Sequence, residues 1–139
     1  MSYTIRISDQ LEDGCMKIRQ KVFVEEQGFK HEFDDIDSIA YHALILDDES
    51  VIATGRLYTD DNLLYHIGRI AVLPDYRGKH IGQMVVSALE QKAVQCGGTS
   101  VSLSAQCRAA NFYKKLGYTE TGDIYMDEHC PHITMIKNL

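Results

Sequence analysis

Apolar and polar positions change period several times along the chain, and the changes predict its elements. Thr4-Ile5-Arg6-Ile7 alternates and reads as a first short strand. Asp9 with Glu12 three residues on predicts a capped helix start, and Leu11, Cys15, Ile18 and Val22 then fall on one helical stripe running to about Val24. Two alternating runs, Tyr41–Asp47 and Val51–Tyr58, flank a turn at Asp48-Glu49-Ser50. Asp60-Asp61-Asn62 turns into a third run, Leu63–Leu73, giving an antiparallel meander. Beyond Pro74, Ile81, Met84, Val85, Ala88 and Leu89 predict an amphipathic helix that ends near Gly97-Gly98. Val101, Leu103 and Ala105 alternate with serines as a strand. A helix over 108–116 stops at Gly117, and runs at 118–126 and 133–137 close the chain as a hairpin.

The order β-α-(α)-β-β-β-α-β-α-β-β predicts an α/β (α+β) fold: one domain over residues 1–139, with a mixed, mostly antiparallel, twisted sheet of about seven strands flanked by about four helices. The unit centred on 66–105 is expected to be a right-handed parallel crossover. With 139 residues and 45% apolar composition, the chain can bury a core without a metal or disulfide staple. No window approaches a membrane span and the first ten residues carry no cationic-then-apolar leader, so a cytoplasmic location is expected. A net charge of −6 argues against nucleic acid as a partner. The four cysteines are scattered, and His129-Cys130-Pro131-His132 fits no standard zinc spacing, so no metal is expected.

Chemistry concentrates in two segments. In Arg69-Ile70-Ala71-Val72-Leu73-Pro74-Asp75-Tyr76-Arg77-Gly78-Lys79-His80-Ile81-Gly82 a strand ends and a helix opens among glycines and basic residues. Unpaired N–H groups and the helix dipole there suit an anion. GxxxxGK[ST] and GxGxxG are both absent, which removes phosphoryl transfer of the P-loop type and a Rossmann site. Gly68 inside the strand predicts a bulge that parts this strand from the one at 101–105, opening a cleft for an extended ligand. In the second segment, Ala109 to Tyr118, Phe112 reads as core, and Tyr113 reads either as core or as a hydroxyl in need of a partner.

Together these segments resemble the GNAT superfamily of N-acetyltransferases. Arg77-Gly78-Lys79-His80-Ile81-Gly82 is similar to the family's R/Q-x-x-G-x-G/A loop, with His80 where the first glycine usually stands. Ala109-x-x-Phe112-Tyr113-x-Lys115-x-Gly117-Tyr118 is similar to its A-x-x-F-Y-x-K-x-G-F/Y segment. Val22-Phe23-Val24-Glu25-Glu26-Gln27-Gly28 and Pro131-His132-Ile133-x-Met135 resemble the small YjcF/ElaA-like branch.

The resemblance implies acetyl-CoA as donor, a primary amine as acceptor, and direct attack in a ternary complex without a metal. For the cofactor it implies Ile70, Ala71 and Val72 on the strand, Arg77, Gly78, Lys79, His80, Ile81, Gly82 and Gln83 at the helix start, and Gln106, Ala109, Phe112 and Tyr113 opposite. Gln106 stands where many members have Asn. The Val72 N–H takes the oxyanion position and Tyr113 that of the acid for the leaving thiolate. A base is needed because an alkylamine is only about a thousandth deprotonated at neutral pH. His132 and Glu26 are the candidates, each with a structural alternative as a strand histidine and a solvated helix-end carboxylate. Glu25, Glu26, Phe29, Phe33, Tyr125 and His132 flank the acceptor side. The acidic run 25–37 suggests a small cationic acceptor, although such runs are often only solvated. A protein lysine or N-terminal acceptor and a non-catalytic coenzyme A-binding module are the alternatives. Homodimerisation is compatible with the resemblance and is not written in the residues.

Overall fold

The computed structural model describes residues 3–139. Seven strands form one sheet: β1 (Tyr3–Ser8), β2 (Tyr41–Asp47), β3 (Ser50–Thr59), β4 (Leu64–Val72), β5 (Ser100–Gln106), β6 (Thr119–Asp127) and β7 (Cys130–Asn138). Their spatial order is β1-β2-β3-β4-β5-β7-β6. Every neighbouring pair is antiparallel except β4–β5, which α2 (Ile81–Gln95) joins as a parallel pair. The remaining α-helices are α1 (Asp13–Arg19), which continues as a π-helical stretch Gln20–Glu26, and α3 (Ala110–Lys115).

The helical period of α2 decides the main core. Ile81, Val85, Val86, Leu89 and Ala93 are buried against Ala43, Ile45, Ile52, Leu57 and Ile67 of the sheet. At Gly55 an added Cβ would lie 2.6 Å from Val85 and 2.7 Å from Ile70, so glycine lets α2 sit on the strand. On the α1 side a smaller cluster joins Ile18, Val22, Phe23, Phe29 and Ala71.

Two local expectations are corrected. Helix α1 opens at Asp13 rather than Asp9. Glu12 occupies its N-cap position without a side-chain cap, because its carboxylate pairs with Arg6 at 2.7 and 2.9 Å instead. The acidic run 25–37 is solvated only in part: Glu25, Glu26, Asp34 and Asp35 are exposed, while two of its carboxylates turn inward. Glu32 and Asp37 are buried on the buried Arg19, and Asp34 and Asp37 bind Arg56.

Candidate active site

The cleft begins where the sheet comes apart. Gly68 pairs with Arg56 and Ala71 with Thr54, so Arg69 and Ile70 together face Gly55 alone, a bulge in β4. Arg69, not Gly68, takes the left-handed conformation, with φ of 53°. Such a backbone costs a non-glycine residue about 1–3 kcal/mol and persists only where neighbours enforce it. Here the enforcement is visible: Arg69 Nε donates to the Glu32 carbonyl at 3.1 Å, and its guanidinium pairs with the Glu32 and Asp34 carboxylates. The parallel ladder with β5 ends at Ile67–Leu103, and beyond it the strands diverge.

The opened cleft has a volume of about 290 Å³ and gathers Phe29, Ile70, Gln106, Ala109, Tyr113 and His132 from the expected set. Tyr113 accepts or donates no hydrogen bond among the described residues, and burial pushes its hydroxyl up to about 12. It is therefore a phenol, not a phenolate, at neutral pH. Its ring meets Phe112 and Tyr118 edge-on at 5.0 and 6.0 Å. His132 is buried, with Nδ1 3.0 Å from the Cys130 carbonyl. A carbonyl only accepts, so in the neutral ring Nδ1 carries the hydrogen and Nε2 the lone pair. The rings of Phe29 and Tyr125 hold the imidazole at 6.3 and 6.0 Å.

Beyond the cleft's lining, the chain turns into α2. Leu73 N–H donates to Ile52 of β3, so the alternation of the strand directs the N–H and C=O of Val72 to the side β5 has left. The Val72 carbonyl accepts from Arg77 Nε at 3.0 Å. Gly78 and His80 have φ of 77° and 63°, and no side chain caps α2. The first N–H groups of a fifteen-residue helix are thus unclaimed by a cap, beside a glycine around which a Cβ would find open space. Lys79, Ile81, Gly82 and Gln83 complete this turn, and Gly82 lies close to Phe112, where an added Cβ would come within 3.3 Å of the ring. These residues fit a diphosphate group. His80 adopts the left-handed conformation that its usual glycine would favour.

Other expected residues lie elsewhere. Glu26 forms a two-fold pair with Arg77, both contacts at 2.8 Å, and the guanidinium's hydrogen bonds hold its carboxyl below the usual range. It is a poor proton acceptor at neutral pH, which corrects its assignment as base. Phe33 lies under the Arg19 guanidinium at 4.8 Å and does not line the cleft. Glu25 is exposed outside it, and Ala71 is buried in the α1-side cluster. Tyr125 touches the cleft's edge through the Ser104 hydroxyl. Gln106 donates to the Gln27 side chain at 2.8 Å and accepts from Arg108. Sequence reasoning missed Asp127, whose exposed carboxylate lines the cleft and makes no ion pair or side-chain hydrogen bond among the described residues. Its signal was positional: it stands two residues after Tyr125, on the same face of the closing hairpin.

Residues 8–139 match the model of the acetyltransferase (GNAT) domain. The chain belongs to the GNAT acetyltransferases. It is an acyltransferase of the YjcF/ElaA-like branch. The uncharacterized N-acetyltransferase YjcF of Bacillus subtilis (strain 168) is 32% identical over 133 residues, covering 94% of each chain. Protein ElaA of Escherichia coli (strain K12) is 29% identical over 132 residues, 91% of this chain and 86% of ElaA. The crystal structure of an acyl-CoA N-acyltransferase from Pseudomonas aeruginosa superimposes with a TM-score of 0.86 at 25% identity, covering 98% of this chain and 99% of that one. No helix among the described residues is long and apolar enough to cross a membrane.

Proposed function

We propose that this GNAT protein transfers an acetyl group from acetyl-CoA to the primary amine of a small molecule by direct attack. The observation that carries the reading is the pairing, on one cleft, of an imidazole held through Nδ1 by a carbonyl, its Nε2 free, and an unpartnered phenol. The donor supplies a thioester, whose carbonyl carbon is the electrophile. His132 Nε2 takes the proton that the ammonium must lose before it can attack. The Val72 N–H, directed to the open side of β4, donates to the oxygen on which negative charge develops. Tyr113 gives its proton to the departing sulfur, and its raised pKa keeps that proton in place until then. The uncapped start of α2 with Arg77 and Lys79 holds the diphosphate, and Gln106, Ala109 and Phe112 flank the pantetheine path.

The test is calorimetric titration with acetyl-CoA, with ATP and NADH as controls, followed by thiol release against a panel of amines. Selective low-micromolar binding and amine-dependent thiol release are expected. Absence of binding at millimolar acetyl-CoA would overturn the proposal.

A further inference from the structure

Next to the reactive cleft lies a second hollow of about 200 Å³ on the same side of the sheet, and its lining follows from strand register. Tyr58 pairs with His66 and His66 with Ser102; Ser104 pairs with Thr134. The apolar residues between them, among them Ile67, Leu103 and Ile133, belong to the main core on the other face. The result is a lane of neutral hydroxyls, Ser102 and Ser104 of β5 and Thr134 of β7, bordered by His66 of β4. Stacked ring pairs bound it at both ends: Tyr58 on His66 at 4.8 Å, and Tyr125 on His132 at 6.0 Å. His132 and Asp127 line both this hollow and the cleft, so the lane leads to the imidazole.

Charge selects among amines. Arg56 and Arg69, the cations of the second hollow, are engaged by Asp34, Asp37 and Glu32, so within that hollow the carboxylate of an amino acid finds no unpaired cation. Arg108, on the reactive cleft, donates to Gln106 and forms no ion pair among the described residues, and the glycine arm of the test reads whether it captures a carboxylate. Of the carboxylates on the two hollows, Glu32 pairs with Arg19 and Arg69, and Glu128 accepts the backbone N–H groups of Lys30 and His31. Asp127 alone among them, within the described residues, is left to hold an ammonium. One anchor serves one amine; a diamine or polyamine would leave its second ammonium without a partner. What the lane offers beyond that anchor is hydroxyl donors and acceptors between ring faces.

We infer that the acceptor is an amino sugar, its ammonium on Asp127 beside His132 and its hydroxyls along Ser102, Ser104 and Thr134 between the two ring pairs. The inference rests on the acetyl-transfer reading and names its substrate class. A site built to pair hydroxyls discriminates against analogues that lack them, because its own polar groups are then left unpaired.

The test measures thiol release at saturating acetyl-CoA with glucosamine, 6-amino-6-deoxyglucose, cadaverine, glycine and a lysine peptide. The better amino sugar is expected to exceed the other three amines at least about tenfold in kcat/KM, the discrimination of a single lost hydrogen-bonding group. Thr134→Val and Ser102→Ala are each expected to raise the KM for that sugar about tenfold while leaving the KM for acetyl-CoA unchanged. A preference for cadaverine, glycine or the peptide would overturn the inference, as would equal effects on both KM values. A second arm reads binding without turnover: saturation-transfer NMR with N-acetylglucosamine and coenzyme A. Signal on the sugar ring protons is expected, and its absence would overturn the sugar site even where another amine is acetylated. Ring signal without turnover of any amine would leave the sugar site standing and remove the transfer reading.

Discussion

A phenol and a carboxylate carry the sharpest predictions at the scale of single residues. Tyr113 has no hydrogen-bond partner among the described residues and a pKa raised to about 12 by burial. Removal of its hydroxyl therefore leaves no orphaned partner behind, and the fold should be indifferent to it. Tyr113→Phe is expected to lower kcat about 10²-fold with the acetyl-CoA affinity retained, measured by thiol release and calorimetry on one preparation. Unchanged turnover would remove Tyr113 as the acid. Glu26 acts in the opposite sense. Its two 2.8 Å contacts occupy the guanidinium of Arg77, which by the family's loop belongs to the diphosphate, and its charge opposes an anion there. Glu26→Gln is expected to tighten acetyl-CoA binding roughly two- to fivefold, the scale of one exposed ion pair. Weaker binding in the variant would mean that the pair positions Arg77 for the ligand instead of competing with it.

At the scale of elements, what was legible followed the range of the interactions. The strand and helix runs were readable because hydrophobic alternation is local, and Gly68 marked the bulge within one residue of its left-handed position. The acidic segment was misread because its partners are remote: Arg19 lies 13 residues from Glu32, and Arg69 lies 37. Within any sequence window those carboxylates look solvated. The signal that could have found them is the cations themselves, since Arg19 falls beside Ile18 on the buried side of α1 and Arg56 beside Leu57 in β3, both among core residues. Burial pushes Asp37 up, but the hydrogen bonds and charges of Arg19 and Arg56 outweigh it and hold the carboxyl below its usual value. Burial dominates at Glu32 and raises it. Burial and charge thus balance differently at the two carboxylates, and the network ties the segment after α1 to the β4 bulge. Arg19→Ala would leave Glu32 and Asp37 buried without their guanidinium. A loss of about 3–5 kcal/mol is expected in urea unfolding, the usual cost of breaking one side of a buried pair. A loss below 1 kcal/mol would show that water or a shifted Arg69 takes its place.

At the scale of the whole molecule, one sheet and one main core span two parts whose strand pairing narrows to a short ladder. Strands β1 to β4 with α1 and α2 make one part; β5, β6 and β7 with α3 make the other. The parallel pairing that joins them runs only from Leu64–Ser100 to Ile67–Leu103. Across the opened side the parts meet through few polar contacts, among them Gln106 on Gln27 and the Glu128 carboxylate on the Lys30 and His31 amides. The sequence signalled this geometry through Gly68 and the glycine-bearing start of α2, but not the contacts, which link residues 79 to 98 positions apart. A ligand held by α2 on one part and by Gln106, Ala109 and Tyr113 on the other would bridge the gap and stabilise the native state by mass action. At a concentration 100 times its Kd that stabilisation is about 2.7 kcal/mol, which for a chain of this size raises Tm by roughly 10 °C. Thermal unfolding monitored with increasing acetyl-CoA should show this rise, and ATP at the same concentration should not reproduce it. Equal shifts from both would mean that the α2 start binds phosphates indiscriminately and that the β5–α3 side contributes nothing. Hydrogen exchange locates the effect: protection is expected to grow at β5 and α3 as well as at the start of α2, since only a ligand that spans the divergence can quiet both of its walls.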